Sequence, residues 1–289
     1  MKYKKPYVIA EIGCNHKGEI SIAKELIKNA KLFCGVDAVK FQKRNNRELL
    51  TDEQYNAPHP NPINSYGETY GAHREFLEFD LSQVMELMEY CIGLDITFST
   101  SVWDMTSAKE MASLNPLFLK IPSACNNNLE MLKWLALNYK GDIHVSTGMT
   151  YLEEVEQIVE LFEKHDSTKN LVIYNCISGY PVPFEDVCLL EILKLKEKYE
   201  KRVKAIGFSG HHLGIAIDVA AFTLGASFIE RHFTLDRTWK GTDHSASLEP
   251  DGMRKLVRNL KATEKSLKFK EKEILDIEQE QRDKLKYKK

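Results

Sequence analysis

The sequence lacks a net charge, a long apolar run and a paired cysteine motif. Its 40 basic residues nearly balance 42 acidic ones, which gives a formal charge of −2. Without a positive field the chain is not expected to bind nucleic acid, and any anion site must be local. No stretch approaches the ~20 apolar residues that cross a bilayer, and residues 1–7 do not read as a secretion signal. We therefore expect neither a nucleic acid nor a membrane as a partner.

The six cysteines are scattered, and no CxxC pair occurs. This usage is typical of reduced thiols in a cytosolic protein, so the sequence predicts a cytoplasmic location. The chain also has no conspicuous repeat period and no low-complexity segment. A single folded unit is therefore the starting interpretation.

Short runs rich in β-branched residues alternate with longer amphipathic stretches, which indicates repeated βα units. Eight such units predict an α/β fold, a closed (β/α)8 TIM barrel with right-handed crossovers. The predicted strands are Tyr7–Ile12, Ala38–Gln42, Ile96–Ser99, Phe118–Ile121, Asp142–Ser146, Leu171–Asn175, Ala205–Ser209 and Phe228–His232. The predicted helices are about Ile20–Phe33, Leu81–Leu94, Ala108–Ser113, Leu129–Tyr139, Tyr151–Lys164, Phe184–Tyr199, Leu213–Leu224 and Pro250–Leu267.

Two segments depart from this rhythm. Lys43–Asp80 is a long connection whose aromatic and polar residues favour an ordered substrate lid over a disordered loop. After Leu267 the chain becomes strongly charged. We interpret residues 1–267 as the barrel domain and residues 268–289 as a solvated helical tail.

Polar residues are concentrated where the predicted strands end. In barrels of this kind the active site lies at the C-terminal ends of the strands. Each residue alone has a plain structural explanation, such as satisfying a turn, but the whole set indicates one polar site. The candidates are Glu11, Lys40, Gln42, Thr100, Lys120, Ser123, Ser146, Ser178, Ser209, His211, Glu230 and His232.

The residue types in this set point to two chemistries. Lys40 and Lys120 together with several hydroxyls suit a bound phosphate. His211 and His232 stand 21 residues apart, about one βα unit, and either hold a divalent Lewis-acid metal or form a hydrogen-bonded pair.

Two carboxylates lie within apolar strands, where an unpaired charge is costly. Glu11 and Glu230 should each meet a lysine, a metal-bound water or substrate. For Glu230, an ion pair with Arg231 or Lys40 is the plain alternative. The polar segment Lys240–Pro250, which includes Asp243, reads as a binding loop.

At this point the motifs resemble a known family, the N-acetylneuraminate (sialic acid) synthases or NeuB family. The resemblance covers residues 10–250 in order and at barrel spacing, which makes it far more specific than a single short motif. The matching segments are AEIGCNHKG (Ala10–Gly18), KFQ (Lys40–Gln42), NSYGETYGAHREFLEF (Asn64–Phe79), KIPSACNN (Lys120–Asn127), STGM (Ser146–Met149), ISGYP (Ile177–Pro181), IGFSGHH (Ile206–His212) and ERHFTLDRTWKGTDHSASLEP (Glu230–Pro250).

The resemblance implies a barrel enzyme that condenses phosphoenolpyruvate with N-acetylmannosamine or a related aldose and releases phosphate. By analogy His211 and His232 bind a divalent metal, usually Mn²⁺ with Mg²⁺ or Co²⁺ as alternatives, and Glu11 orders water. A homodimer is the expected assembly. Phosphoenolpyruvate is expected on Lys40, Lys120, Ser123, Ser146, Ser178 and Ser209, and the sugar on Gln42, Asn64, Tyr180, Glu230 and Asp243.

Two departures from the family pattern concern the sugar end. The sequence stops at Lys289, where longer members continue into an antifreeze-like domain that supplies an arginine over the sugar. Residues 268–289 are then either a charged tail or the remnant of the linker to such a domain. In addition, Ala124–Cys125 stands where glycine and an acidic residue are usual. The identity of the aldose, including whether it is phosphorylated, therefore stays open. Two other readings also stay open, namely a pyruvate-dependent Schiff-base aldolase and a non-catalytic binding or assembly subunit.

Overall fold

A closed barrel of eight parallel strands forms the centre of the computed structural model, which describes residues 3–287. Neighbouring strands in the chain are neighbours in the barrel, and the first strand closes on the last. The predicted (β/α)8 fold is thus confirmed. The strands are β1 Tyr7–Gly13, β2 Ala38–Lys43, β3 Thr97–Val102, β4 Phe118–Ile121, β5 Asp142–Ser146, β6 Leu171–Cys176, β7 Ala205–Gly210 and β8 Phe228–His232.

Helices surround the barrel and bury their apolar faces against it. The predicted helix Phe184–Tyr199 begins later than expected, at Glu191, because Cys188 adopts a left-handed φ of 48° that an α-helix does not contain. The helices are α1 Ile20–Lys28, α2 Asn46–Leu49, α3 Asp52–Asn56, α4 Tyr70–Phe76, α5 Leu81–Gly93, α6 Met105–Ser113, α7 Leu129–Asn138, α8 Leu152–Lys164, α9 Glu191–Tyr199, α10 Ala216–Leu224, α11 Pro250–Ser266 and α12 Asp276–Leu285.

The barrel interior is layered. Alternate residues of a strand point inward, and paired residues on neighbouring strands face the same side. Ile9, Ala38 and Phe118 pack together in the lower part of the barrel. One pleat further along the same strands come Glu11, Lys40 and Lys120, which are also buried. The apolar layer therefore forms the floor of a polar layer at the C-terminal mouth.

The long connection between β2 and α5, residues 44–80, is folded and is called the lid segment below. It contains α2, α3 and α4, and Thr51 and Asp80 close capping boxes at the starts of α3 and α5. Gly71 lies against the ring of Tyr55, where an added Cβ would come within 2.3 Å of the ring. Close packing of this kind fixes α4 over the barrel mouth.

The segment that follows α11 is exposed. The helix α12 has no buried residue and forms local ion pairs such as Lys284 with Glu280. Residues 1–2 and 288–289, the ends of the two predicted ranges, lie outside the described residues. Within residues 3–287 no helix is both long enough and apolar enough to cross a membrane.

Candidate active site

A cavity of about 380 Å³ opens at the C-terminal mouth of the barrel. Side chains from the strand ends, the lid segment and the loop after β8 line it. Of the predicted site residues, thirteen reach this cavity. They are Glu11, Lys40, Gln42, Lys120, Ser123, Ser146, Ser178, Tyr180, Ser209, His211, Glu230, His232 and Asp243.

Two lysine–carboxylate pairs lie at the bottom of the cavity, all four side chains at most 7% exposed. Lys40 contacts the Glu11 carboxylate and donates to Ser101 Oγ at 2.7 Å. Lys120 Nζ lies 3.2 Å from both oxygens of Glu230, and Lys40 lies 3.9 Å from the same carboxylate. Arg231, the plain alternative partner, pairs instead with Asp218 behind the barrel wall.

The two carboxylates of this network have different pKa values. Burial raises the pKa of Glu11 to about 7, because the charge of Lys40 offsets only part of the lost hydration and Glu230 adds a second negative charge. Burial acts on Glu230 in the same direction, but Lys120 and Lys40 outweigh it and lower the pKa to about 2. At neutral pH Glu230 is therefore the permanent anion, and Glu11 is the carboxyl able to exchange a proton.

An aromatic layer supports Lys120 from below. Its Nζ lies 3.5 Å from the centroid of the Tyr174 ring, a cation–π contact in a fully buried setting. The Tyr174 hydroxyl lies 2.7 Å from Nδ1 of His144, whose ring stacks on Phe118. The lysine is thus held between a ring face and a carboxylate.

Hydroxyl groups from three strand ends form a cradle on one side of the cavity, here called the hydroxyl cradle: Ser123, Ser146 and Ser178. The backbone N–H of Gly148 donates to Ser123 Oγ at 3.0 Å. A Cβ at Gly148 would lie 2.4 Å from Ser178 Oγ and 2.7 Å from Ser123 Oγ. Glycine is therefore needed here for the two hydroxyls to sit side by side.

His211 and His232 face one another across the cavity, with ring centroids 5.5 Å apart. Nδ1 of His211 lies 2.8 Å from the Ile177 carbonyl oxygen, so it donates there and leaves Nε2 with its lone pair. Nδ1 of His232 is buried without a hydrogen-bond partner and lies 3.9 Å from Asp243. Burial lowers the pKa of His232 to about 4, so the ring is neutral at pH 7.

These imidazoles fit a divalent metal, since both rings face one cavity and His211 is oriented by a carbonyl as metal ligands commonly are. Among residues 3–287 no group of three or more His, Cys, Asp or Glu side chains is arranged as a metal cage. A two-imidazole site leaves coordination positions for water and substrate, which suits a Lewis acid better than a structural ion.

Two predicted site residues do not line the cavity. Thr100 pairs in register with Phe41, on the outer side of the barrel wall, and its hydroxyl contacts the Ser101 carbonyl. Its neighbour Ser101 faces inward instead, because β3 runs to Val102 and not only to Ser99. Asn64 accepts a hydrogen bond from Gly241 N at 3.3 Å and so joins the lid segment to the loop after β8.

Several cavity residues were not among the predicted site residues, although Arg44 and Arg74 lie in the connection predicted to be a substrate lid. Cys176 follows Tyr174 by one pleat, so the alternation of β6 would have found it. Arg44, Arg74 and Trp103 reach the cavity from the lid segment and from the loop after β3. No strand periodicity predicts these three positions.

Known proteins are similar to this chain in sequence and in fold. The chain is 38% identical to mouse N-acetylneuraminate-9-phosphate synthase over 94% of this chain and 74% of that protein. It is 35% identical to N,N'-diacetyllegionaminic acid synthase of Campylobacter jejuni over 91% of this chain and 78% of that one. The solved N-acetylneuraminic acid (sialic acid) synthetase of Leptospira borgpetersenii superposes with a TM-score of 0.81 at 30% identity, covering 99% of this chain and 94% of that chain.

A comparison with protein-family models supports the resemblance that the motifs indicated. A model of the NeuB family matches residues 26–272, which include every strand from β2 to β8. Fold, motifs and relatives thus agree, and this chain belongs to the NeuB family.

Proposed function

We propose that this chain condenses phosphoenolpyruvate with an aldose, giving a 2-keto-3-deoxy sugar acid and phosphate. The observation that carries the proposal is the convergence of two lysines, the hydroxyl cradle and two imidazoles on one cavity. The relatives named above are synthases of sugar acids, which fits this chemistry. Small-molecule substrates suit the size of the cavity.

Phosphoenolpyruvate would bind on the side of the cavity that carries the two lysines. Lys40 and Lys120 supply charge, and the hydroxyl cradle and Ser209 supply directed donors to phosphate and carboxylate oxygens. Both lysines are already paired with carboxylates. An incoming anion therefore meets a site that is close to neutral overall, in which binding depends on directed hydrogen bonds more than on net charge.

The two imidazoles would hold the metal, for which we propose Mn²⁺, with Mg²⁺ or Co²⁺ as alternatives. When bound there, the ion supplies Lewis acidity toward the aldehyde oxygen of the open-chain sugar. Tyr180 borders this place, because its ring lies 4.4 Å from His211 and 5.8 Å from His232. Tyr180, Gln42 and Asp243 would then orient the sugar, and Asn64 would act from the edge of the cavity.

The reaction forms one carbon–carbon bond and breaks one carbon–oxygen bond. C3 of phosphoenolpyruvate attacks the aldehyde carbon, whose oxygen takes up a proton. Water adds to C2 and gives up one proton, which balances the proton taken up by the sugar oxygen. The bond from C2 to the phosphate oxygen then breaks, the C2 hydroxyl becomes the keto group, and its proton leaves with the phosphate. We assign the proton lost by that water to Glu11, whose raised pKa suits a group that exchanges protons near neutrality. Glu230 would keep Lys120 charged and in place.

For the setting of the enzyme we propose a cytoplasmic homodimer. Six free cysteines within residues 3–287 support a reducing compartment. We further propose that residues 1–267 are the catalytic unit and that residues 268–289 are a charged extension outside it. Light scattering on the purified protein measures the assembly directly, and a monomer at micromolar concentration would contradict it.

The deciding experiment incubates the protein with phosphoenolpyruvate, Mn²⁺ and a panel of aldoses, with product mass and released phosphate as readouts. Phosphate release that requires both substrates and stops with EDTA supports the synthase. Borohydride trapping of pyruvate on Lys120 would support the Schiff-base aldolase instead. If no aldose in the panel gave a product, the result would favour the binding subunit and refute the proposal.

A further inference from the structure

The cavity extends beyond the proposed phosphoenolpyruvate and metal sites, under the lid segment. Residues of the lid segment, several of them on α4, line this extension together with Trp103 from the loop after β3. It is not needed to hold phosphoenolpyruvate, since the strand-end residues already surround the cavity floor. The residues of the extension are Arg44, His59, Tyr70, His73, Arg74, Leu77 and Trp103.

Two buried donors in this extension have no hydrogen-bond acceptor within residues 3–287. Arg74 donates through Nε and Nη2 to the Tyr70 hydroxyl, at 3.0 and 2.6 Å. Its third nitrogen, Nη1, is buried without a partner, as is Nε1 of Trp103. The Tyr70 hydroxyl accepts both bonds from Arg74 and keeps its own proton to donate. Buried donors are nearly always satisfied in native proteins, so an acceptor from outside the chain is implied.

The charge of the extension is also uncompensated. Arg44 is neutralised by Glu78, with Nε 2.5 Å from the carboxylate. Arg74 has no ion-pair partner among residues 3–287, and its guanidinium lies 5.5 Å from the Trp103 ring centroid. Burial, and to a smaller extent the neighbouring His59, lowers the pKa of His73 to about 4. His73 is therefore neutral near pH 7. Among the residues that line the extension, Arg74 is thus the cation without an ion-pair partner in residues 3–287, and the acceptor that fits it is an anion.

We propose that Arg74, Trp103 and Tyr70 bind a phosphate group at the end of the aldose remote from its aldehyde. This inference rests on the proposed function, which places the aldehyde end beside His211 and His232. The three side chains are neighbours, because the Arg74 guanidinium lies 5.5 Å from the Trp103 ring centroid and donates to the Tyr70 hydroxyl. Their donors suit the terminal oxygens of a phosphate monoester, which arginine binds in a fixed planar geometry.

The name of the mouse relative fits this assignment. Phosphoenolpyruvate contributes three carbons, so a phosphate on carbon 9 of a product derives from carbon 6 of a hexose. The phosphate would then enter with the aldose and leave with the product, and no bond to it would form or break.

The test compares kcat/KM for N-acetylmannosamine 6-phosphate with that for N-acetylmannosamine. The wild-type enzyme is expected to prefer the phosphorylated sugar. Arg74→Gln should reduce the ratio of the two values by roughly 10- to 150-fold, as expected for one lost hydrogen bond to a charged group. Trp103→Phe keeps the ring beside Arg74 but removes its N–H, and should reduce the ratio several-fold.

Arg47→Gln is the matched control, because Arg47 lies on the lid segment, is exposed and packs on Tyr55 outside the cavity. It should leave the ratio unchanged. Calorimetric titration with the phosphorylated sugar in the absence of metal gives a second readout. Arg74→Gln should bind this sugar more weakly than the wild type, whereas Arg47→Gln should bind it equally well.

The outcomes separate the two proposals. Turnover of the unphosphorylated sugar with equal or better kcat/KM overturns the phosphate site and leaves the synthase proposal standing. A higher kcat/KM for the 6-carboxylate analogue, N-acetylmannosaminuronate, also overturns it, since the anion would then be a carboxylate. If none of these sugars is turned over in the presence of phosphoenolpyruvate and Mn²⁺, the result counts against the proposed function itself.

Discussion

The hydroxyl cradle can be tested with a single methyl group. In Gly148→Ala the new Cβ would lie 2.4 Å from Ser178 Oγ and 2.7 Å from Ser123 Oγ. Both distances are shorter than van der Waals contact allows, so both hydroxyls must rotate or shift away. Gly148 does not have a positive φ, and the contacting atoms are mobile side-chain ends. The change should therefore alter the site without straining the backbone.

The expected loss follows from the bonds that the hydroxyls would donate. A hydrogen bond to a charged group contributes about 1.5–3 kcal/mol, so losing two raises the Kd for phosphoenolpyruvate by roughly 10² to 10⁴-fold. The assay is calorimetric titration of phosphoenolpyruvate into wild-type and variant protein, with thermal unfolding measured in parallel. The melting temperature should change little.

Gly93→Ala is the control, because a Cβ at Gly93 meets no atom within 4 Å and the residue lies in α5. It should leave phosphoenolpyruvate binding unchanged. If Gly148→Ala bound phosphoenolpyruvate with wild-type affinity, the hydroxyl cradle would not be the phosphate site.

Three further predictions concern the metal, a buried ion pair and acid stability. His232→Ala should abolish Mn²⁺ binding, measured by electron paramagnetic resonance and by EDTA-reversible activity. The control His165→Ala, at the end of α8, should still bind Mn²⁺. Retained Mn²⁺ binding in His232→Ala would contradict the assignment. Asp218→Asn should lower the free energy of unfolding by about 3–5 kcal/mol, because it leaves the Arg231 charge buried and unpaired. Asp251→Asn removes one partner of an exposed ion pair and should leave the free energy of unfolding, measured by denaturant titration, nearly unchanged. Burial lowers the pKa of His16 to about 3 and that of His244 to about 4. Below pH 6.5 the unfolded chain binds protons that the folded chain does not, so stability should fall as pH drops from 6.5 toward 4, by about 1.4 kcal/mol per pH unit for each histidine. His16→Gln should flatten this slope in denaturant titrations, and an unchanged slope would refute it.

The sequence by itself determined the barrel and most of its mouth. Strand periodicity is local, and in a parallel barrel all strand ends meet at one rim, so Lys40, Lys120 and Glu230 could be brought together without coordinates. The predicted ranges of β4, β5 and β8 match the structure at both ends. The error at Thr100 arose from a strand boundary, because three further residues of β3 make Ser101 the inward-facing neighbour of Lys120.

Only the tertiary structure decided which charges pair and what covers the cavity. By sequence Glu230 could have met Arg231 or Lys40. In the structure Arg231 turns to Asp218, whereas Lys120 lies 3.2 Å and Lys40 3.9 Å from the Glu230 carboxylate. The unsatisfied donor of Arg74 comes from a connection without periodicity, whose position depends on packing between α3 and α4. The unsatisfied donor of Trp103 comes from the loop after β3 and meets Arg74 only in the folded chain. Local pattern specifies where a strand ends, whereas the path of a long connection is set by contacts between residues distant in the chain.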